Sequence, residues 1–267
     1  MRKEQIPTLI RKPLRQAHYQ SLQLLARTLS HLTPYETVVT LPKGSFIADG
    51  MSSTHDSSFM QDPDFLRAYA RAVKAAGADW GIPWRTHIAL WSADACKSAS
   101  GDFVELGTGR GWMFSAILSS LNWEGMSKRL FLFDTFTDSR LDLISGHALN
   151  GKDKHPRYAV SFELTEANFA DWQRVRLVRG RVPESLMSVD LVSISFLHID
   201  LNNADSEVKS LRELWPKVNV GGLILLDDYA YHGYRSQYEA MNNLSVELGF
   251  KILSLPTGQG LIYKSAA

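Results

Sequence analysis

The sequence has little of what would send a chain out of the cell or into a bilayer. One cysteine, Cys96, in 267 residues excludes an internal disulfide and a thiolate metal cluster, and fits a reducing compartment. No window approaches the roughly 18 consecutive apolar residues that a membrane-spanning helix needs. The early charges Arg2, Lys3 and Glu4 lead into Pro7, Arg11, Lys12 and Pro13 rather than an apolar signal core. A soluble, cytoplasmic chain without membrane association is the expectation. Charge of one sign is missing too. Lys plus Arg number 29 against 28 Asp plus Glu, so nothing electrostatic argues for nucleic acid as a partner.

What is present is apolar content, 45% of the chain, enough for one large core with appendages. Helical spacing recurs over Arg15 to Leu32 (Leu22, Leu25, Leu29, Leu32), then over Asp64 to Ala78 and Pro83 to Lys97. Residues 1–98 therefore read as a helical and loop extension that contributes to an acceptor pocket or an oligomer interface. From Gly101 onward strands and helices alternate, with strands predicted at Phe103 to Leu106, Leu130 to Phe133, Val175 to Val178, Leu191 to Ile199, Leu223 to Leu226, Phe250 to Leu253 and Leu261 to Tyr263. Such alternation implies an α/β doubly wound, mostly parallel sheet over residues 99–267. Ser254 to Gly260 is too short for a helical crossover, so the last strand is expected to run antiparallel, an ending found in class I methyltransferases and absent from plain dinucleotide-binding folds. Thr137 to Arg157 lacks periodicity and reads as a substrate lid.

Three features carry chemistry. Phe103-Val104-Glu105-Leu106 runs into Gly107-Thr108-Gly109-Arg110-Gly111, a strand, a glycine turn and then a helix, the arrangement that lets backbone approach a ligand at a helix N-terminus. The spacing departs from the G-x-G-x-x-G of dinucleotide enzymes. Asp134 closes the second strand, where a carboxylate can accept from both ribose hydroxyls or cap the next helix. Asp200 ends the strand carrying His198, and Asp227 and Asp228 end the strand Leu223 to Leu226. If those strands are neighbours, three carboxylates converge and need a shared proton or a hard cation, Mg²⁺, Mn²⁺ or Ca²⁺; capping and solvation are the alternative. His198 is a candidate base or ligand, or a hydrogen-bonded core histidine, and His232 sits in an aromatic loop that could line a pocket. No G-x-S-x-G elbow supports a hydrolase.

Gly101-Asp102-Phe103-Val104-Glu105-Leu106-Gly107, Phe133-Asp134-Thr135-Phe136, Leu197-His198-Ile199-Asp200 and Gly221-Gly222-Leu223 through Asp227-Asp228-Tyr229, with Trp215-Pro216-Lys217 between, together resemble the macrocin and mycinamicin O-methyltransferases, with the novobiocin sugar methyltransferase as a relative. The similarity runs from about Trp84 to Lys264. The resemblance implies S-adenosylmethionine contacts at Glu105, Gly107 and Asp134; the glycine turn adds Thr108, Gly109 and Gly111 to the expected cofactor contacts, and Arg181, just after Val178-Arg179-Gly180, is expected near the adenine. The resemblance further implies a Mg²⁺ (or Mn²⁺) held by Asp200, Asp227 and Asp228, Asp200 as general base, and a small-molecule hydroxyl acceptor, a sugar or glycoside; His198 stays a secondary catalytic candidate from its place on the strand. A homo-oligomer is expected by the same analogy. One departure stands out: where the family shows D-x-D-x-Y, this chain reads Asp200-Leu201-Asn202-Asn203-Ala204. The residues alone leave two rivals, a nicotinamide-dependent oxidoreductase and a catalytically silent methyltransferase-like binding module.

Overall fold

Two short strands, β1 (Phe46–Ala48) and β2 (Met51–Ser53), flank a turn at Asp49 and Gly50, both with positive φ. Helix α1 (Pro63–Ala76) begins where the Asp62 carboxylate accepts from the Asp64 and Phe65 amides with proline at the first position, and stops at left-handed Gly77. Its inward stripe is Phe65, Ala68, Ala72 and Ala76. Helix α2 (Pro83–Ala95) also opens on proline, but its N-cap residue Ile82 has no polar side chain. Asp49 supplies one instead, accepting from the Trp84 amide at 2.6 Å.

The structure, a computed structural model, describes residues 46–136, 160–231 and 233–266. The expected helix over Arg15 to Leu32, the expected lid and His232 lie outside the described residues. The chain divides into Met1–Phe46 with Ser52–Asp56, and Ile47–Met51 with Ser57–Ala267. Within the first, the His55 amide donates to Ser53 Oγ at 3.0 Å. The second holds α1, α2 and everything after them, and the α1 and α2 alanines share one core with the sheet.

The sheet is built from β3 (Asp102–Leu106), β4 (Leu130–Asp134), β5 (Val175–Arg179), β6 (Ile194–Ile199), β7 (Val218–Leu226), β8 (Leu253–Ser254) and β9 (Gly260–Tyr263). Their order is β5-β4-β3-β6-β7-β9-β8, with β9 antiparallel to both neighbours and the first five strands parallel. The class I methyltransferase topology is thus present, with its antiparallel last strand. The predicted strand over Phe250 to Leu253 is pared down to β8. Helices α3 (Trp112–Ser120), α4 (Phe162–Phe169), α5 (Ala204–Leu214) and α6 (Arg235–Leu248) occupy the connections.

Side chains alternate across this sheet with a period of two, broken at the register shift between Ile194 and Phe196 of β6. Phe103, Leu130, Leu132, Phe196, Leu223 and Leu225 join α1, α2 and α3 in one core; Val104, Leu106, Phe131, Phe133, Leu197, Ile224 and Leu226 face α5 and α6 in the other. Each fully buried large side chain contributes about 1.5–3 kcal/mol. The chain winds outward from β3 through β4 to β5, then returns to the opposite side of β3 with β6. That reversal opens a crevice beyond the carboxyl ends of β3 and β6, where open α/β sheets bind ligands.

Candidate active site

Gly107 follows β3 at φ +90°, and a Cβ there would overlap the Asp200 carbonyl oxygen. The glycine is thus demanded first by the adjoining chain after β6. Gly109 (φ +57°) donates its amide to Asp134 Oδ2 at 2.8 Å, and Asp134 Oδ1 accepts from the Phe136 amide at 3.0 Å. Asp134 therefore ties the glycine turn to the end of β4. Gly111 serves packing: it lies at φ +89°, and a Cβ would stand 2.5 Å from the Phe169 ring. Unlike Gly107 and Gly109, it does not border the cavities described next.

Two cavities open at this crevice. One, of about 220 Å³, is bounded by Gly107, Asp134, Arg181, Val182, Asp200 and Asn202. The other, of about 320 Å³, is bounded by Glu105, Gly107, Thr108, Gly109, His198, Asp200, Asn202, Asp227 and Asp228, with Trp80, Arg85, Tyr231 and Tyr234. They share Gly107, Asp200 and Asn202. The turn also carries buried polar atoms, Glu105 Oε2 and Thr108 Oγ1, that make no hydrogen bond to the described residues. Such orphans fit a polar ligand seated on the loop. Asp134 and Arg181 fit the same ligand's hydroxylated and planar parts.

The second cavity has a buried floor of charge. Glu105 and His198 are register partners on β3 and β6, so their side chains emerge together and Glu105 Oε1 lies 3.0 Å from His198 Nδ1. His198 Nε2 lies 3.7 Å from Asp227 Oδ1. Burial works against charging this imidazole, but Asp227 and Glu105 on either side override it and raise its pKa to about 10. His198 is thus held between two carboxylates, an arrangement that suits a positioning group. Burial pushes Glu105 up, with His198 opposing.

Asp200, Asp227 and Asp228 come together as their strand ends require, with ligand oxygens all within 4.8 Å of one another. A fourth carboxyl, Glu207 on α5, is buried, and its pKa is raised well above normal by burial and by Asp228 and Asp200. The sequence reading missed the group that answers this charge. Arg85, 6% exposed, donates from Nη1 to Asp227 Oδ2 at 2.6 Å and to Asp228 Oδ1 at 3.1 Å. Burial alone would raise Asp227, but Arg85, His198 and Gln259 hold it well below the usual carboxylate range. Burial and the neighbouring Asp227 charge raise Asp228 to about 6. Arg85 has a sequence signal in hindsight: it falls on the i, i+4, i+8 stripe with Ala89 and Ala93, both fully buried, and a charge on a buried stripe demands a partner.

The donor chemistry of the three aspartates suits a hard cation, yet their surroundings as they stand do not. Asp227 Oδ1 accepts from Gln259 Nε2 at 2.9 Å, Asp227 Oδ2 and Asp228 Oδ1 are bonded to Arg85, and Asn202 turns its amide nitrogen toward Asp200 Oδ1 at 3.1 Å. Asn203 caps α5 by accepting from the Ser206 amide. The departure from D-x-D-x-Y thus supplies a donor and a helix cap, neither of which is a cation ligand.

A family model described as macrocin-O-methyltransferase (TylF) matches residues 92–248, more than half of the chain. The 8-demethyl-8-(2,3-dimethoxy-alpha-L-rhamnosyl)-tetracenomycin-C 4'-O-methyltransferase of Streptomyces olivaceus is 24% identical over 194 residues, covering 63% of this chain and 74% of its own. The demethyldecarbamoylnovobiocin O-methyltransferase of Streptomyces niveus is 24% identical over 202 residues, covering 66% and 77%. Among solved structures, the O-methyltransferase NovP superposes with a TM-score of 0.59 at 19% identity, over 79% of this chain and 100% of that one. The calicheamicin methyltransferase CalS11 reaches 0.50 at 20% identity, over 79% and 94%. The structural likenesses establish the fold, and the family match establishes the lineage: this chain belongs to the macrocin-O-methyltransferase (TylF) family and is an O-methyltransferase.

Proposed function

We propose that this enzyme transfers a methyl group from S-adenosylmethionine to a hydroxyl of a sugar or glycosylated natural product, with Asp200 as the proton acceptor. The observation that carries the reading is the junction of the two cavities at Gly107, Asp200 and Asn202. The cavity with Asp134 and Arg181 suits a nucleoside; the one with Trp80, Tyr231 and Tyr234 suits an acceptor; a carboxylate stands between them. Named relatives that act on rhamnosyl and novobiocin-type molecules support the acceptor class.

When bound, S-adenosylmethionine supplies an electrophilic methyl on its sulfonium. The chain does the rest. Asp134 accepts from ribose hydroxyls while bracing the glycine turn, the turn admits the ligand backbone to backbone, and Asp200 takes the acceptor's proton as the oxygen attacks. His198, locked between Glu105 and Asp227, fixes the floor beneath Asp200. A cytoplasmic setting belongs to the same reading, supported by a lone, buried thiol at Cys96; no helix among the described residues is long and apolar enough to cross a membrane.

Label transfer from S-adenosylmethionine to a panel of deoxysugar glycosides tests the proposal: transfer that disappears in Asp200→Ala supports it, and a signal instead from nicotinamide reduction by alcohols would replace it. The convergence of three carboxylates favours a second reading, in which Mg²⁺ or Mn²⁺ is held by Asp200, Asp227 and Asp228 once Arg85 has been displaced.

A further inference from the structure

We infer that Arg85 is the resident cation of the site formed by Asp200, Asp227 and Asp228, that it keeps divalent metal out, and that methyl transfer here needs no Mg²⁺; this last part rests on the methyl-transfer reading. Arg85 Nη1 lies within 3.1 Å of both Asp227 and Asp228, where an ion bridging those two residues would have to stand. Mg²⁺ demands oxygen ligands at roughly 2.1 Å in near-octahedral order and repels a guanidinium already seated there.

The guanidinium is built in. Its Nη2 donates to the Thr257 carbonyl at 3.3 Å and its Cζ lies 4.6 Å from the Tyr231 ring centre. Its helix is anchored by Ala89 and Ala93 in the core and started by Asp49. The site is also stocked with donors elsewhere: Gln259 and Asn202 each give an amide N–H to the aspartates, and His198 Nε2 faces Asp227. A metal site needs acceptors in those places. Donors to Asp227 and to one oxygen each of Asp228 and Asp200 fit a cluster neutralised by protein cations, with Asp200 kept as the group that reaches both cavities.

The test is titration of the chelator-treated full chain with Mn²⁺, followed by the paramagnetic resonance of free Mn²⁺. The wild-type protein should show no site tighter than about millimolar, and Arg85→Met should uncover one at least about tenfold tighter by removing a like charge. Adding Asp228→Asn should abolish that gain. Stoichiometric micromolar binding by the wild type, or no gain in an Arg85→Met protein that still binds S-adenosylhomocysteine, overturns the inference. If Arg85→Met does not fold, Arg85→Lys and the wild type decide: both should stay metal-free, and binding by either is contrary. S-adenosylhomocysteine affinity, measured alongside, reports separately on the methyltransferase reading.

Discussion

The two cavities at the top of the sheet are made in different ways. In the nucleoside cavity, Gly107, Asp134 and Arg181 sit at or just beyond the ends of β3, β4 and β5, so the parallel sheet alone places them. In the acidic cavity, Arg85 and Asp227 meet across 142 positions of sequence and Gln259 reaches Asp227 across 32. One cavity is a property of strand order; the other is a network of buried side chains in which each charge exists on account of another. The first should tolerate change away from its few contacts, whereas the second should fail when any partner is removed, because a lone buried charge costs far more than a lost surface pair.

The sharpest way to separate them is Asp200→Ala, which removes the proton acceptor. Turnover should fall by about 10²–10⁴-fold while S-adenosylhomocysteine still binds; unchanged turnover in a steady-state assay would move the base elsewhere. Gly107→Ala attacks both cavities at their joint. With φ at +90° and the Asp200 carbonyl in the way, denaturant melts should show a loss of more than about 3 kcal/mol or no folded protein. Asp134→Asn should touch only the nucleoside cavity, weakening S-adenosylhomocysteine by about 10–100-fold through lost charged hydrogen bonds, with acceptor KM unchanged.

The acidic network also makes stability depend on pH. His198 is raised from 6.5 to about 10, so its contribution is complete below about 6.5 and is lost as pH climbs through about 10. The melting temperature should decline across that window, and Glu105→Gln should shallow the decline by removing one of the two carboxylates. The smallest effect belongs to Trp80, 37% exposed and stacked on Trp112 at 5.0 Å. Trp80→Ala should raise acceptor KM by only about 2–10-fold and leave nucleoside binding alone.

That contrast also explains what could be read from the sequence. Glycine after β3, Asp134 after β4 and the aspartates after β6 and β7 were legible because strand ends can be located from alternation and turn residues, and the topology then gathers them. His198 was legible as a site residue, but its protonation was not, since that depends on register: only the pairing of Glu105 with His198 shows that the imidazole is spoken for. Gly111 read as a cofactor glycine because its spacing resembles one, while the Phe169 ring that explains it comes from a distant helix. Arg85 was visible only as a misplaced charge on an alanine stripe, with its partners unreadable until α2 docked. The metal expectation rested on three aspartates that could be counted, whereas the guanidinium between two of them could not.

The central claim, that the turn at Gly107 and the acid at Asp134 form a nucleoside cofactor site, is tested most directly by calorimetric titration of S-adenosylhomocysteine into the purified chain. The expected result is one site per chain with micromolar-range affinity that weakens in Asp134→Asn. No heat of binding at high ligand concentration, in a protein that melts cooperatively, would contradict the account.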